Sequence, residues 1–123
     1  MEIVNIEKLD LSKPIVLTGR NENVKAIAEE LNAKLYYLPG CKDHFSDYPA
    51  IIKDFQDGIE HEDGIIILTT QSKEFLDCLL RSEFEFTQAT VRHYSEGSPY
   101  RIRVLSKDEA LADREAFCIE LRV

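Results

Sequence analysis

The stretch Gly64–Ser72, which reads G-I-I-I-L-T-T-Q-S, limits the possible folds of this chain more than any other segment. Four consecutive aliphatic residues, Ile65–Leu68, show no polar alternation, and such a run indicates a strand that is covered on both faces inside a parallel sheet. Hydroxyl and amide side chains follow directly. Because ligands of open α/β sheets bind beyond the carboxyl ends of the strands, Thr69–Ser72 occupy a position where a binding site is expected.

Length and charge narrow the classes of protein further. The 123 residues suffice for one buried core, so residues 1–123 are predicted to form a single domain. The net charge is -8, a field that repels a phosphate backbone, so nucleic acid is not an expected partner. No apolar run reaches the roughly 18 residues of a membrane span. Since the N-terminus also lacks the basic and apolar regions of a signal peptide, we expect a cytoplasmic protein that does not enter a membrane.

Two strand–helix–strand units are predicted in the first two thirds of the chain. Residues 14–19 (P-I-V-L-T-G) read as a short strand that ends at a glycine, a helix follows at once, and Lys34–Leu38 reads as the next strand. A second helix, capped by Ser46 or Asp47, leads to Gly64–Ser72, and Ser72 caps a third helix. Parallel strands joined by helices predict a mostly parallel sheet with helices on its faces.

The last third predicts a hairpin, a short helix and a final strand. Residues 89–94 and 100–105 alternate on either side of E-G-S-P, which is a hairpin signal. Ser106 and Glu109 have capping-box spacing at the start of a short helix, and the tail alternates like a strand. Residues 1–7 have the pattern of a half-buried strand, at a sheet edge or as a short hairpin partner. The predicted fold is a three-layer α/β sandwich with a mostly parallel central sheet and a C-terminal β-hairpin.

Three segments share motifs with a known family. Residues 64–80 read G-I-I-I-L-T-T-Q-S-K-E-F-L-D-C-L-L, residues 9–21 read L-D-L-S-K-P-I-V-L-T-G-R-N, and residues 100–110 read Y-R-I-R-V-L-S-K-D-E-A. Residues 64–80 resemble the switch strand and helix of the ABC-like and SMC-like (AAA-labelled) P-loop ATPase heads. Residues 9–21 resemble the strand before the phosphate loop of that family, and residues 100–110 resemble its terminal hairpin. This resemblance implies a P-loop NTPase-like fold for most of the chain.

The catalytic parts of that family are missing from the matching positions. Where its phosphate loop continues G-x-G-K-S or G-x-G-K-T, this chain has R-N-E-N-V-K after Gly19. The strand that should end in two carboxylates reads L-Y-Y-L-P-G at residues 35–40, and the switch histidine is replaced by Gln71. Phosphoryl transfer depends on such positioning and charge stabilisation. We therefore expect a shortened relative without ATP hydrolysis, with no catalytic residue, metal or cofactor, that acts through a protein partner or self-association.

A second hypothesis retains nucleotide or anion binding at the Gly19–Asn23 loop, with a partner ATPase supplying catalysis. Helix N-terminal N–H groups attract anions, and an arginine in the loop adds positive charge. The candidate residues are Gly19, Arg20, Asn21, Asn23, Thr70 and Gln71. Structural roles are open alternatives: Arg20 can pair with Glu22 or Asp63, and the hydroxyls near Gln71 can serve helix capping.

Further candidates lie elsewhere in the chain. Cys41 and His44 have a spacing that suits two metal ligands or a thiol beside a base, so a small hydrolase that uses them is a third hypothesis, against a solvated loop. The three cysteines show no paired spacing, which predicts reduced thiols. Arg101 and Arg103 share one strand face near Arg92, where they form a positive patch or deter edge pairing.

Overall fold

The computed structural model describes residues 1–38, 47–59 and 62–113, which contain six strands and four α-helices. The strands are β1 (Ile3–Val4), β2 (Ile15–Thr18), β3 (Lys34–Tyr37), β4 (Ile66–Thr69), β5 (Thr87–Arg92) and β6 (Tyr100–Leu105). The helices are α1 (Asn21–Glu30), α2 (Tyr48–Ile59), α3 (Lys73–Arg81) and α4 (Lys107–Ala112), and Ile6–Lys8 form a 3₁₀ turn. The prediction of an α/β fold is confirmed.

All six strands join one sheet in the order β1-β6-β5-β2-β4-β3. Strand β2 pairs in parallel with β4 and with β5, and β3 pairs in parallel with β4. Strand β6 runs antiparallel to β5, and β1 pairs in parallel with β6. The sheet is therefore mostly parallel, as predicted, and the C-terminal hairpin continues it.

The two faces of the sheet carry separate apolar cores. On one face, Ile27 of α1 packs in a cluster that includes Leu17 of β2. On the other face, Phe75 of α3 belongs to a cluster that includes Val16 of β2, and side chains of α2 and α4 join it. Alternate residues of a strand point to opposite faces, so the first three residues of β2 and of β4 are all apolar and serve both cores. Helices thus cover both faces, in the three layers that the sequence predicts.

Local capping signals also have the predicted roles. The Ser72 hydroxyl accepts a hydrogen bond from the backbone N–H of Phe75 and begins α3. Ser106 and Glu109 form a complete capping box at the start of α4. Asp47 Oδ1 accepts from the Ala50 N–H, 3.3 Å away, in the first turn of α2. Each cap satisfies a backbone N–H that has no partner inside its helix.

The hairpin differs from the prediction in its first strand. That strand begins at Thr87 and ends at Arg92, two residues earlier than the predicted 89–94. Its parallel pairing with β2 sets the start, since the Thr87 N–H donates to the Pro14 carbonyl at 2.9 Å. The predicted tail strand, residues 116–123, lies outside the described residues. None of the described helices combines the length and apolar character that crossing a membrane requires.

Candidate functional site

The order of the strands creates a crevice at the carboxyl ends of β2 and β4. These two strands are neighbours, but the chain leaves β2 for α1 on one face of the sheet and leaves β4 for α3 on the other. Where the connections of adjacent parallel strands diverge in this way, a crevice opens that binds ligands in many α/β proteins. Residues 19–21 and 70–72 flank the crevice, which agrees with the position of most of the predicted site residues.

The connection between β2 and α1 consists of Gly19 and Arg20 alone. Gly19 has a φ of +146°, and a Cβ atom at this position would lie 2.7 Å from the Val91 carbonyl oxygen of β5. The Arg20 carbonyl then accepts from the N–H groups of Asn23 and Val24, at 2.9 and 3.0 Å, so the helix begins immediately. A phosphate loop instead needs several successive N–H groups that curve around the anion. This connection is too short to form such a loop.

Gln71 connects the two sides of the crevice. Its Nε2 atom donates to Asn21 Oδ1 at 3.0 Å and approaches the Gly19 carbonyl oxygen at 3.4 Å. Three of the predicted site residues are therefore brought together across the mouth of the crevice. A ligand that entered at this point would have to displace the amide bridge.

The other three predicted residues have local contacts. Arg20 Nε lies 3.6 Å from Glu22 Oε1, an exposed ion pair and one of the two pairings that the sequence suggests. Asn23 is only 6% exposed on the inner side of α1. Thr70 Oγ1 accepts from the Ser72 N–H at 3.0 Å and so supports the turn into α3. These contacts hold the crevice walls in place.

Thr69 is the least expected polar group at the crevice. Its side chain is fully buried at the end of β4, and its hydroxyl oxygen has no hydrogen-bond partner among the described residues. A buried hydroxyl without a partner is unfavourable by about 1 to 3 kcal/mol. Its position in the polar run after the aliphatic strand is visible in the sequence, but its complete burial is not.

The end of β3 carries two tyrosines, Tyr36 and Tyr37, whose side chains have different surroundings. The Tyr36 hydroxyl donates to the Glu62 carboxylate at 2.6 Å, and its ring packs edge-on against Phe55. The hydrogen bond to Glu62 raises the Tyr36 pKa, and partial burial adds to that effect. Tyr37 points away and is exposed. One tyrosine thus contributes to packing while its neighbour faces solvent, as strand alternation predicts.

The thiol and metal candidates fall mostly outside the described part of the chain. Cys41 and His44 lie there, so the hydrolase hypothesis stays a prediction. Cys78 is partly buried on α3, and desolvation followed by the charge of Asp77 raises the pKa of its thiol. In residues 1–38, 47–59 and 62–113, no group of three or more His, Cys, Asp or Glu side chains is arranged to hold a metal ion.

A second cavity, here called the basic groove, lies over β5 and β6. It has a volume of about 420 Å³, and its lining includes Lys8, Arg92, Arg101 and Arg103, together with Asn5 and Tyr94. The sequence predicts that Arg101 and Arg103 share one strand face near Arg92. Lys8 and Asn5 could not be assigned to it in advance, because only the pairing of β1 with β6 brings the N-terminal segment next to the hairpin.

Comparisons with protein families, with curated proteins and with solved structures found no match to this chain.

Proposed function

We propose that the chain is a non-catalytic, P-loop NTPase-like module that binds a protein partner or a second copy of itself and does not hydrolyse ATP. The observation that carries this proposal is the two-residue connection from β2 to α1, which leaves no phosphate loop in the crevice. The sequence resemblance to ATPase heads supplies the P-loop NTPase-like part of the proposal. The framework of alternating strands and helices around the crevice supports it.

The charges around the crevice also argue against phosphoryl transfer. Lys25, the first lysine after Gly19, is exposed in the middle of α1, and Glu22 places a carboxylate in the first helical turn. The γ-phosphate sensor of the family is replaced by Gln71, which is bonded to Asn21. Transfer of a phosphoryl group needs cations that neutralise the charge developing on the phosphate oxygens. The arginine of the connection, Arg20, is paired with Glu22.

The direct test is phosphate release from ATP and Mg²⁺ by the purified protein. We expect no release above the rate without protein. Turnover that disappears in Lys25→Ala or Gln71→Ala would overturn the proposal, because it would place catalysis at the crevice. Light scattering across a range of protein concentrations then tests self-association. A mass that stays at that of the monomer would indicate that the partner is a different protein.

Residual anion binding at the crevice is the second candidate, favoured by the exposed side chain of Arg20 beside the first turn of α1. Thermal unfolding with ATP, GTP or phosphate measures this binding. A ligand at 100 times its dissociation constant raises the free energy of unfolding by about 2.7 kcal/mol. A stabilisation that Arg20→Gln removes and Arg101→Gln preserves would support this candidate. Stabilisation that persists in Arg20→Gln would exclude it.

A further inference from the structure

Strand β3 forms one edge of the sheet in the part of the chain that the structure describes. On its inner side, the N–H groups of Lys34 and Leu38 donate to the Ile65 and Thr69 carbonyl groups, both at 2.8 Å. Because successive residues of a strand direct their backbone groups to opposite sides, Leu35 and Tyr37 direct their N–H and C=O groups away from β4. The outer side of β3 therefore presents backbone donors and acceptors at a spacing that another strand can match.

This edge lacks the features that usually prevent pairing with another chain. Proteins protect sheet edges with very short strands, charged side chains, proline residues or bulges. The opposite edge strand, β1, has two residues and ends at Asn5, whose backbone is left-handed with a φ of 68°. Strand β3 has four residues, and its charged residue, Lys34, is the first of them and lies 3.9 Å from the Glu62 carboxylate. The middle of β3 is thus open to a further strand.

Apolar side chains lie beside this edge on both faces of the sheet. Tyr37 is 59% exposed, and Leu35, on the same face, is only partly buried against the core below α1. On the other face, the ring of Tyr36 packs edge-on against Phe55 of α2. Three apolar residues that share one stripe of α2 are also only partly buried, namely Ile51, Phe55 and Ile59. A chain that docked at β3 would cover apolar surface as well as backbone groups.

The sequence of β3 is complementary to itself when two copies run antiparallel. If Leu35 pairs with Tyr37 of a second copy, two-fold symmetry also pairs Tyr37 with Leu35 of that copy. The outward backbone groups then exchange hydrogen bonds in both pairs, and each exposed tyrosine ring covers a leucine. Tyr36 meets its own copy on the other face, and aromatic pairs across strands are favourable. Lys34 lies opposite Leu38 in this register, so no like charges meet.

We propose that the outer edge of β3 is a self-association surface, at which two copies of the chain pair antiparallel and join their sheets. This inference rests on the proposed function, for which it names the partner and the surface. Backbone hydrogen bonds at Leu35 and Tyr37 fix the register, and the Tyr37 rings supply the apolar contact. A second copy fits this edge because the same short segment provides both sides of every pair.

Analytical ultracentrifugation of the full chain tests the proposal between about 1 μM and about 1 mM, which spans weak dissociation constants. We expect the mass to rise reversibly from that of the monomer to that of the dimer. Association should strengthen as salt is raised, because two copies of net charge -8 repel each other and salt screens this repulsion. Association that weakens with salt would indicate an interface held by ion pairs and would overturn the proposal.

Tyr37→Lys is the decisive variant, and Tyr94→Lys is its matched control. Tyr94 is 67% exposed and follows β5, which β2 and β4 separate from β3, so the control makes the same change of side chain and charge away from this edge. Tyr37→Lys should weaken the dimer about tenfold or more, as for tyrosines at the centre of other interfaces. Tyr94→Lys should leave the dissociation constant within about twofold of the parent, as for other surface substitutions.

The backbone hydrogen bonds have a test of their own. Proline is tolerated in an edge strand where the missing N–H would face solvent, so Tyr37→Pro should fold but should not donate to a second copy. Hydrogen exchange on the parent protein does not depend on the folding of any variant. The amides of Leu35 and Tyr37 should become protected as the protein concentration rises, whereas the Tyr36 amide, which faces β4, should be protected at every concentration.

Three further results would overturn the proposal. They are a parent protein that stays monomeric at every concentration, equal weakening by Tyr94→Lys and Tyr37→Lys, and amides of Leu35 and Tyr37 that exchange equally fast in monomer and dimer. The first would indicate that the partner is a different protein, and the other two would place the contact on another surface of the chain. None of them bears on ATP hydrolysis. Phosphate release from ATP at the crevice would instead overturn the proposed function, without changing the mass or exchange measurements.

Discussion

Gly19 determines how closely β2 and β5 approach where the chain enters α1. Its φ of +146° is strained for any residue with a side chain, and a Cβ atom would lie 2.7 Å from the Val91 carbonyl oxygen and 3.0 Å from its Cγ1. We expect Gly19→Ala to lower the free energy of unfolding by about 2 to 4 kcal/mol, through backbone strain and overpacking together. Urea denaturation followed by circular dichroism measures this change.

Gly58 provides the matched control for that substitution. It lies inside α2, and an added Cβ atom would have no heavy atom within 4 Å. Alanine is favoured over glycine inside helices by about 0.5 to 1 kcal/mol, so Gly58→Ala should stabilise the protein. Similar effects of the two substitutions would show that the close approach at Gly19 does not control stability.

Thr69 and Thr18 offer a comparison between two buried threonines on neighbouring strands. The Thr69 hydroxyl has no hydrogen-bond partner among the described residues, whereas Thr18 Oγ1 contacts the Ala89 carbonyl at 3.5 Å and Gln88 Nε2 at 3.4 Å. Because valine has nearly the shape of threonine, we expect Thr69→Val to stabilise the fold by about 1 kcal/mol and Thr18→Val to destabilise it by a similar amount. Thermal unfolding measures both, and a loss of stability in Thr69→Val would reveal a partner for its hydroxyl.

Secondary-structure elements with strong local signals could be predicted from the sequence. The aliphatic run before Thr69 predicts a strand buried on both faces. Ser106 with Glu109 three residues later predicts the capping box of α4. The sheet order could not be predicted, because it depends on which distant strands pair. Strand β1 has two residues, too few for periodicity to place it beside β6. The crevice was predictable because it follows local strand ends, whereas the Lys8 side of the basic groove depends on that distant pairing.

The cap of α4 should make stability depend on acidity. Hydrogen bonds from the Ser106 backbone, and then from its side chain, lower the Glu109 pKa below its ordinary value. A carboxylate with a lowered pKa in the folded state stabilises the protein fully above its unfolded pKa, and this stabilisation is lost as pH falls through the folded pKa. The stability difference between the parent and Glu109→Gln should therefore be largest near neutral pH and shrink in acid.

Ser106→Ala supplies the control for this pH effect. Loss of the serine cap should lower stability by about 0.5 to 2 kcal/mol, as for other N-caps. In the Ser106→Ala background, Glu109→Gln should keep most of its effect at neutral pH, because the Ser106 backbone N–H that donates to Glu109 Oε1 is still present and only the smaller contribution of the serine side chain is lost. Urea unfolding at several pH values measures the four proteins, and a Glu109→Gln effect that grows toward acid would contradict the assignment.

At the scale of the whole molecule, the two candidate sites differ in the contacts that their side chains make. The crevice between β2 and β4 is closed by the Gln71 amide, and its loop residues are bonded to one another. The basic groove instead holds cations opposite one another across paired strands. The polar side chains at the end of β4 are thus held by hydrogen bonds within the fold, while the arginines of the hairpin lie together on one face of the sheet.

The position of β5 makes the hairpin part of the main folding unit. Strand β5 pairs with β2 on one side and β6 on the other, and Ile102 of β6 is 2% exposed in the same apolar cluster as Ile27 of α1. We expect one cooperative transition, in which far-UV circular dichroism and tyrosine fluorescence change at the same urea concentration. Ile102→Ala should lower stability by about 2 to 5 kcal/mol and shift both signals together, because the cavity it leaves lies in the shared core. Separate transitions, or a shift of one signal alone, would show that the hairpin unfolds independently of the parallel strands.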